Sequence, residues 1–511
     1  MEQQLIAGER GVERMQESAS RDTAILVAIA GVVALVHVLT NNRYGLHRDE
    51  LQTLSDALHM EWGFVAYPPL TPFVERLSMA MFGHWLIGLR MASVIAQAAV
   101  VVVTGLMARE LGGGRLAQVT AAVATALAPL ALFEGTEFQY TTFDYFWWVL
   151  IAYFVIRLLK SEDPRWCLAI GAVIGIGLMT KYTMAFYVAG IVAGAVLTRA
   201  RKYLVSGWFW GGIAIAFAIC LPNVIWQWRH DFISYHFLHY IHARDVRQGR
   251  GDGFWTGQIR GDTNFFALPL WVGGLICYLR SDKYRMLAWM YLVPLAIFAV
   301  TKARFYYVGA AYPMLLAMGA AAGERWVAKL SRGWRWAVEG SLFASIAVAA
   351  LYIAAIIIPL APRGPLKEFA LKNNGDLREE IGWDDLVRAL AGVRDGLTAS
   401  ERQSYGVLVG NYGEMGAVEI MGPAYGLPVP ISLTNSGWLR NFPENPPQTL
   451  IVAGWSRENV NDALTNCRLA GHNGNTLGVE NEESRDHAEI FVCRGPRRGW
   501  KQFWDDEQRY G

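Results

Sequence analysis

Charge and cysteine are both scarce in this chain. Asp, Glu, Lys and Arg make up 18% of its 511 residues, against about 25% in an ordinary soluble domain. Five cysteines over such a length exclude a disulfide-built scaffold. A net charge of +2 offers no basic stripe for nucleic acid. No phosphate loop or nucleotide fingerprint occurs, nor the strand alternation that a membrane barrel requires. Apolar residues, by contrast, reach 53%, with 20 Trp, 21 Tyr and 23 Phe. That is more apolar side chain than a soluble core absorbs, so the chain reads as a polytopic α-helical membrane protein.

A spanning helix needs about 20 apolar residues. Stretches of this kind lie at 24–40, 86–108, 116–133, 143–159, 166–179, 184–198, 208–226, 265–279, 286–301, 305–322 and 338–360. They predict about eleven spans. The first follows a charged leader, residues 1–22, and ends without a small-residue cleavage site, so it reads as an uncleaved span. Alternate short loops carry fifteen Lys and Arg, among them Arg109, Arg157, Lys160, Arg199, Lys202, Arg285 and Arg325. The other set carries three: Lys181, Lys302 and Arg304. The positive-inside rule puts the first set and the N-terminus in the cytoplasm, and the C-terminal region outside.

Three regions follow: the leader at 1–22, a transmembrane region at 23–360 with an outer loop at 41–85, and a tail at 361–511. Charge density in the tail rises to about that of a soluble domain, and the tail reads as a soluble α/β domain on the outer side. Short buried strands are expected at 406–410, 449–453 and 488–493, with helices at 414–425 and 458–467. Cys167, Cys220 and Cys277 fall in spans and read as packing. Cys467 and Cys493 share the tail, either paired, as an oxidising compartment permits, or as two partly buried free thiols.

Several polar residues stand where a bilayer does not favour them. In the outer loop, His47-Arg48-Asp49-Glu50 opens a stretch with Leu51, Leu54 and Leu58 at helical spacing. It predicts an amphipathic helix on the outer membrane surface. Asp49 and Glu50 fall in its first turn, where the helix dipole favours negative charge. They are either an acidic cap or a working pair. Glu134, Glu137 and Asp144 form a second acidic group. A solvated loop accounts for the first two, but Asp144 precedes three aromatics at the mouth of a span. A charge deep in a span costs roughly 2.5–3.5 kcal/mol and faces a cavity or a partner. Arg90, Lys181, Lys302 and Arg304, with His230, complete the set. Cations at this depth either snorkel to headgroups or bind phosphate or carboxylate. Their convergence with carboxylates on one boundary points to an amphiphile with an anionic head.

The carrying motifs are Arg48-Asp49-Glu50, Tyr67-Pro68-Pro69-Leu70, Arg90, Phe143-Asp144-Tyr145, Thr180-Lys181, Pro222-Asn223 through His230, Arg304 through Tyr312-Pro313, Asn411-Tyr412-Gly413-Glu414, and Cys493 through Arg497. In this order relative to the spans, they resemble the C-type (GT-C) glycosyltransferase fold. The resemblance is to the bacterial proteins related to family 39 protein O-mannosyltransferases and to lipid A aminoarabinose transferase. It implies a polyprenyl-phosphate sugar donor in the outer leaflet and an acceptor hydroxyl on a lipid, glycan or protein. Asp49 would be the general base of an inverting transfer, beside Glu50. Lys181, Arg304, Arg90 and Lys302 would hold the leaving phosphate. Glu137, Asp144 and His230 would line the sugar and acceptor side. Some relatives bind a divalent metal near the acidic loop, and His47, Asp49, Glu50 and Glu137 are the residues that would hold one here. Their spacing matches no metal motif, and no metal ligand is assigned. A secondary transporter or lipid flippase is the alternative. It predicts internal repeats and midplane charges, and the sequence has neither.

Overall fold

The computed structural model describes residues 2–511, with side chains from residue 19 onward. The leader at 1–22 therefore lies largely outside the described side chains. The chain is mostly helical. Helix α1 is Glu2–Thr40, α2 is Arg48–Leu58, α3 is Leu70–Phe82 and α4 is Leu86–Glu110. Next come α5, Arg115–Ala126, and α6, Pro129–Glu134; Pro129, which cannot donate a backbone N–H, separates them within the stretch read as one span. Then follow α7 (Tyr140–Ser161), α8 (Trp166–Leu178), α9 (Met184–Leu197), α10 (Gly207–Arg229) and α11 (Ile233–Arg247). The membrane part ends with α12 (Phe254–Arg260), α13 (Leu268–Arg280), α14 (Arg285–Val300), α15 (Tyr312–Val327) and α16 (Arg332–Ile357).

Length and apolarity alone recover fewer spans than the eleven expected. Among the described residues, six helices are long and apolar enough to cross a membrane, or up to eight if each bent pair is one span. The eleven apolar stretches all become helix, but several are short or broken. Helix α8 has 13 residues, and α13 and α14 pass together as one pair bent by 120°. Composition counts apolar residues, whereas the chain bends wherever a Pro or a polar turn intervenes. The helices meet at small residues, as expected where lipid supplies no hydrophobic drive. A side chain at Gly171 of α8 would run into the Gly212 carbonyl of α10.

Helices α8, α9 and α14 each have a basic loop at one end and one of the three unfavoured cations just beyond the other. Ion pairs knit the basic loops together: Lys202–Glu162 at 2.7 Å, Arg199–Asp282 at 2.7 Å and Lys160–Glu110 at 3.0 Å. Lys181, Lys302 and Arg304 thus sit at the opposite end of the bundle.

Beyond α16 the chain forms a second layer. Helices α17 (Pro365–Asn373), α18 (Trp383–Asp395) and α19 (Ala399–Gln403) precede β1 (Tyr405–Val409), and α20 is Tyr412–Met421. Strands β2 (Ile431–Ser432), β3 (Thr449–Ala453), β4 (Arg468–His472) and β5 (Glu489–Arg494) complete a sheet in the order β2-β1-β3-β5-β4. Pairing is parallel from β2 to β3 and antiparallel beyond. The buried strands β1, β3 and β5 are near-continuous apolar runs, which made them visible in the sequence. Strand β4 is half exposed and was missed. Cys467 and Cys493 are joined in a disulfide.

Helix α2 does not lie on a lipid surface. Residues Glu50 to Ala57 are buried, because α20 packs on it so closely that a side chain at Gly416 would meet the Leu51 carbonyl. Arg48 pairs with Glu482 and Glu483 (both 2.6 Å) and Glu379 (3.2 Å). Arg440 grips Asp56 at 2.6 Å. Amphipathicity located the helix, but its polar face meets protein rather than water.

Candidate active site

Helix α2 starts at a capping box. His47 Nδ1 accepts the Asp49 backbone N–H (3.2 Å), and Glu50 Oε2 accepts the His47 N–H (2.8 Å). This fixes the first turn and sends adjacent carboxylates in different directions. Asp49 faces a cavity of about 550 Å³, a size suited to a small ligand. Glu50 turns into the protein with no exposed surface.

The cavity is walled by parts of the chain far apart in sequence. Helix α2 gives Asp49, Gln52 and Thr53; the turn after α8 gives Lys181; the segment after α14 gives Lys302, Arg304, Tyr306 and Tyr307. Helix α11 and the C-terminal layer close it, the latter with Tyr412 and Asn435. Tyr412 donates its hydroxyl to Asp49 Oδ1 at 2.9 Å. Among the described residues no hydrogen bond reaches Asp49 Oδ2.

Lys181 has no ion-pair partner among the described residues. Its ammonium stands over three phenol rings instead, 4.5 Å from the Tyr307 centroid, 5.1 Å from Tyr140 and 5.6 Å from Tyr306. Burial pushes its pKa below the ordinary lysine value, while the Asp144 and Glu134 carboxylates push it back up. Arg304 forms a two-pronged pair with Asp245 of α11, at 2.7 and 3.0 Å. Arg250 and Arg244 also approach Asp245, at 3.4 and 3.9 Å. Three guanidinium groups around one carboxylate, with Lys181 and Lys302 nearby, leave this wall positive.

The other sequence-predicted residues do not line the cavity. Glu50 is bonded to Arg90 through both oxygens (2.7 and 2.6 Å) and to the Phe138 N–H (2.8 Å). Arg90, itself 1% exposed, also donates to the Asn41 and Gly45 carbonyls (2.7 and 3.0 Å) and to Glu380 (3.3 Å). Burial lifts Glu380 to about 8 against the pull of Arg90. This cluster joins the outer loop, α4 and the C-terminal layer, so the structure gives Glu50 and Arg90 a scaffolding place rather than a catalytic or phosphate-facing one. Glu137 is buried 3.6 Å from His47, with Oε1 lacking a partner. Asp144 accepts from Trp148 and Thr183, both at 3.0 Å. His230 stacks on Trp226 at 4.0 Å and is tied to that residue's carbonyl. Their side chains are engaged by protein neighbours, which is why they stand back from the cavity.

The donor set suggested for a metal does not fit one. Glu50 is fully engaged by Arg90 and Phe138, and His47 Nδ1 by the helix cap. No group of three or more His, Cys, Asp or Glu among the described residues is placed to hold a metal ion. No step below runs through a metal.

Sequence reasoning missed Tyr412, Asp245, Arg244 and Arg250. Tyr412 stood in a motif already noted, Asn411-Tyr412-Gly413-Glu414, but its approach to Asp49 spans 363 residues. Asp245 lies on α11, a helix with no clear apolar face, and nothing local marks it.

Comparison with known proteins bears on the fold. Residues 66–226 match the family described as dolichyl-phosphate-mannose-protein mannosyltransferase. The chain is similar to the lipid A galacturonosyltransferase RgtD of Rhizobium johnstonii, 24% identical over 52% of this chain and 58% of that protein. It is similar also to the undecaprenyl phosphate-α-4-amino-4-deoxy-L-arabinose arabinosyl transferase of Pseudomonas aeruginosa, 28% identical over 55% of this chain and 53% of the relative. The match thus spans a little over half the length of these relatives. The solved structure of ArnT from Cupriavidus metallidurans bound to undecaprenyl phosphate superposes with a TM-score of 0.50. That likeness covers 92% of this chain and 98% of that one at 15% identity, and shows the fold. By family match and fold together, the chain is similar to the family 39-like GT-C membrane glycosyltransferases.

Proposed function

We propose that this protein transfers a sugar from a polyprenyl-phosphate donor to an acceptor hydroxyl, with inversion, at the outer face of the membrane. The observation that carries the reading is that Asp49 shares one cavity with Lys181, Lys302 and Arg304. A hydroxyl is a poor nucleophile until a positioned carboxylate takes its proton, which Asp49 can do from α2. The acceptor oxygen attacks the anomeric carbon as the bond from that carbon to the phosphate oxygen breaks. The proton passes to Asp49, and the electron pair leaves with the polyprenyl phosphate. That leaving group is already a weak base, so it needs cations rather than an acid. Arg304 offers a planar fork and Lys181 a point charge. The aromatic walls lower the local dielectric, which strengthens both interactions.

The relatives support this reading, since they are transferases named for lipid-phosphate-linked or lipid A chemistry. Orientation is supported by the basic loops at the far end of the bundle.

The test is turnover by the purified protein with a panel of undecaprenyl-phosphate sugars and envelope lipids, the anomeric configuration of product being read by NMR. Transfer with inverted configuration is expected. Retained configuration overturns the single-displacement mechanism. Movement of labelled lipid across a vesicle bilayer without transfer favours a flippase instead.

A further inference from the structure

We infer that Tyr412, carried by the C-terminal layer, is a positioning residue for Asp49, so that the layer completes the active site rather than merely covering it. The inference rests on the proposed transfer and goes beyond it. Three observations converge. The Tyr412 hydroxyl donates to Asp49 Oδ1 at 2.9 Å, and both residues line the cavity. Tyr412 is the first residue of α20, whose start is fixed by a second capping box. Asn411 accepts the Glu414 N–H at 2.8 Å, and Glu414 accepts the N–H groups of Gly410 (2.8 Å) and Asn411 (3.2 Å). Helix α20 is pressed onto α2 at Gly416, and a side chain at the neighbouring Gly413 would meet Arg48 and Trp383. The phenol is therefore held from both sides and cannot follow Asp49 if that side chain rotates.

The chemistry is directional. A donor on Oδ1 fixes the carboxylate plane and leaves Oδ2 to take the acceptor's proton. Burial and the charge of Asp49 raise the phenol's own pKa, so it stays protonated and remains the donor. Its contribution is orientation of a base, an effect on turnover and not on ground-state binding of the lipid phosphate.

Tyr412→Phe removes one oxygen and keeps the ring that packs between α2 and α20. It should lower kcat roughly ten- to a hundredfold, as a charge-assisted hydrogen bond is lost, while donor KM and thermal stability hold. In the Asp49→Asn background the same change should cost nothing further, because the base it orients is gone. A fall in kcat that is as large in both backgrounds overturns the proposal. A second readout needs no substrate. Carbodiimides add to protonated carboxyl groups, so Asp49 relieved of its donor should label several-fold faster in Tyr412→Phe, read by mass spectrometry on the full chain in detergent. An unchanged labelling rate overturns the positioning role whatever the reaction proves to be. Absence of turnover by the unaltered protein, with faster labelling in the variant, overturns the proposed function alone.

Discussion

Two clusters of opposite charge flank the first turn of α2, and they differ in what is left unbonded. Behind the helix, Glu50, Arg90 and Glu380 close on one another and on the Asn41 and Gly45 carbonyls. In front, among the described residues, Asp49 keeps one oxygen without a protein donor, and Lys181 has rings but no carboxylate partner within ion-pair distance. The first arrangement cements three parts of the chain; the second waits for a ligand. Residue type and sequence position do not separate the two, since Asp49 and Glu50 are adjacent and both carboxylates. The difference lies in the hydrogen-bond inventory around each.

The strongest way to break this comparison is to remove Arg90. Arg90→Ala leaves the Glu50 and Glu380 carboxylates buried without their shared cation. Breaking a buried pair in this way costs about 3–5 kcal/mol. The expected outcome is loss of the monodisperse peak in detergent chromatography, with any surviving protein melting well below the parent. Were Arg90 a phosphate ligand instead, the variant would fold normally and lose donor affinity.

Asp49→Asn should do the reverse. The amide keeps the shape and can still accept from Tyr412, but it cannot take the acceptor's proton. Turnover should fall roughly 10²–10⁴-fold, with the melting temperature and undecaprenyl phosphate binding nearly unchanged. Near-normal turnover would reduce Asp49 to a cap residue.

Lys181→Ala and Arg304→Ala sharpen the reading of the open cluster. Each should weaken binding of undecaprenyl phosphate and lower turnover further still, because negative charge on the leaving phosphate grows as the bond breaks. Roughly ten- to a hundredfold losses are expected for a charge-assisted contact. Arg76→Ala, on the exposed face of α3, is the control and should change neither. If the cations only snorkel to headgroups, the two variants alter stability alone, and affinity and turnover per folded molecule stay constant.

How much of this was legible in the sequence follows from the range of each interaction. Apolar runs announced the long apolar helices of the bundle, and the buried strands β1, β3 and β5, because burial on both sides leaves a continuous signature. The breaks that shorten several of these helices are set by local turns such as Ala128-Pro129, which a composition window averages away. Within the site, Asp49, Lys181, Lys302 and Arg304 stood out because each violates a local expectation, a charge or cation where lipid or topology disfavours it. Glu50 and Arg90 violate the same expectation for another reason, and only the contact between residues 40 positions apart tells them from the rest. Tyr412 and Asp245 are unremarkable locally. Tyr412 meets Asp49 across 363 residues, and Asp245 meets Arg304 across 59 from a helix, α11, whose polarity is mixed all round.

The smallest effect concerns how the open cluster is held from the C-terminal side. Glu414 caps α20 just after Tyr412. Burial, reinforced by nearby Glu483, raises its carboxyl to about 8, against the Gly410 and Asn411 amides and Arg48, which pull it down. An unfolded glutamate titrates near 4.3. Between those values the folded protein keeps a proton that the unfolded chain has lost. The stability Glu414 contributes is therefore complete below the unfolded value and drains away as pH rises toward about 8. Between pH 6 and 8.5 the melting temperature should fall by an amount on the order of a few °C through this group. Glu414→Gln, which does not titrate, should show a shallower fall over the same window. An identical slope in parent and variant would mean that the start of α20, and with it the Tyr412 contact to Asp49, is insensitive to the charge of its cap.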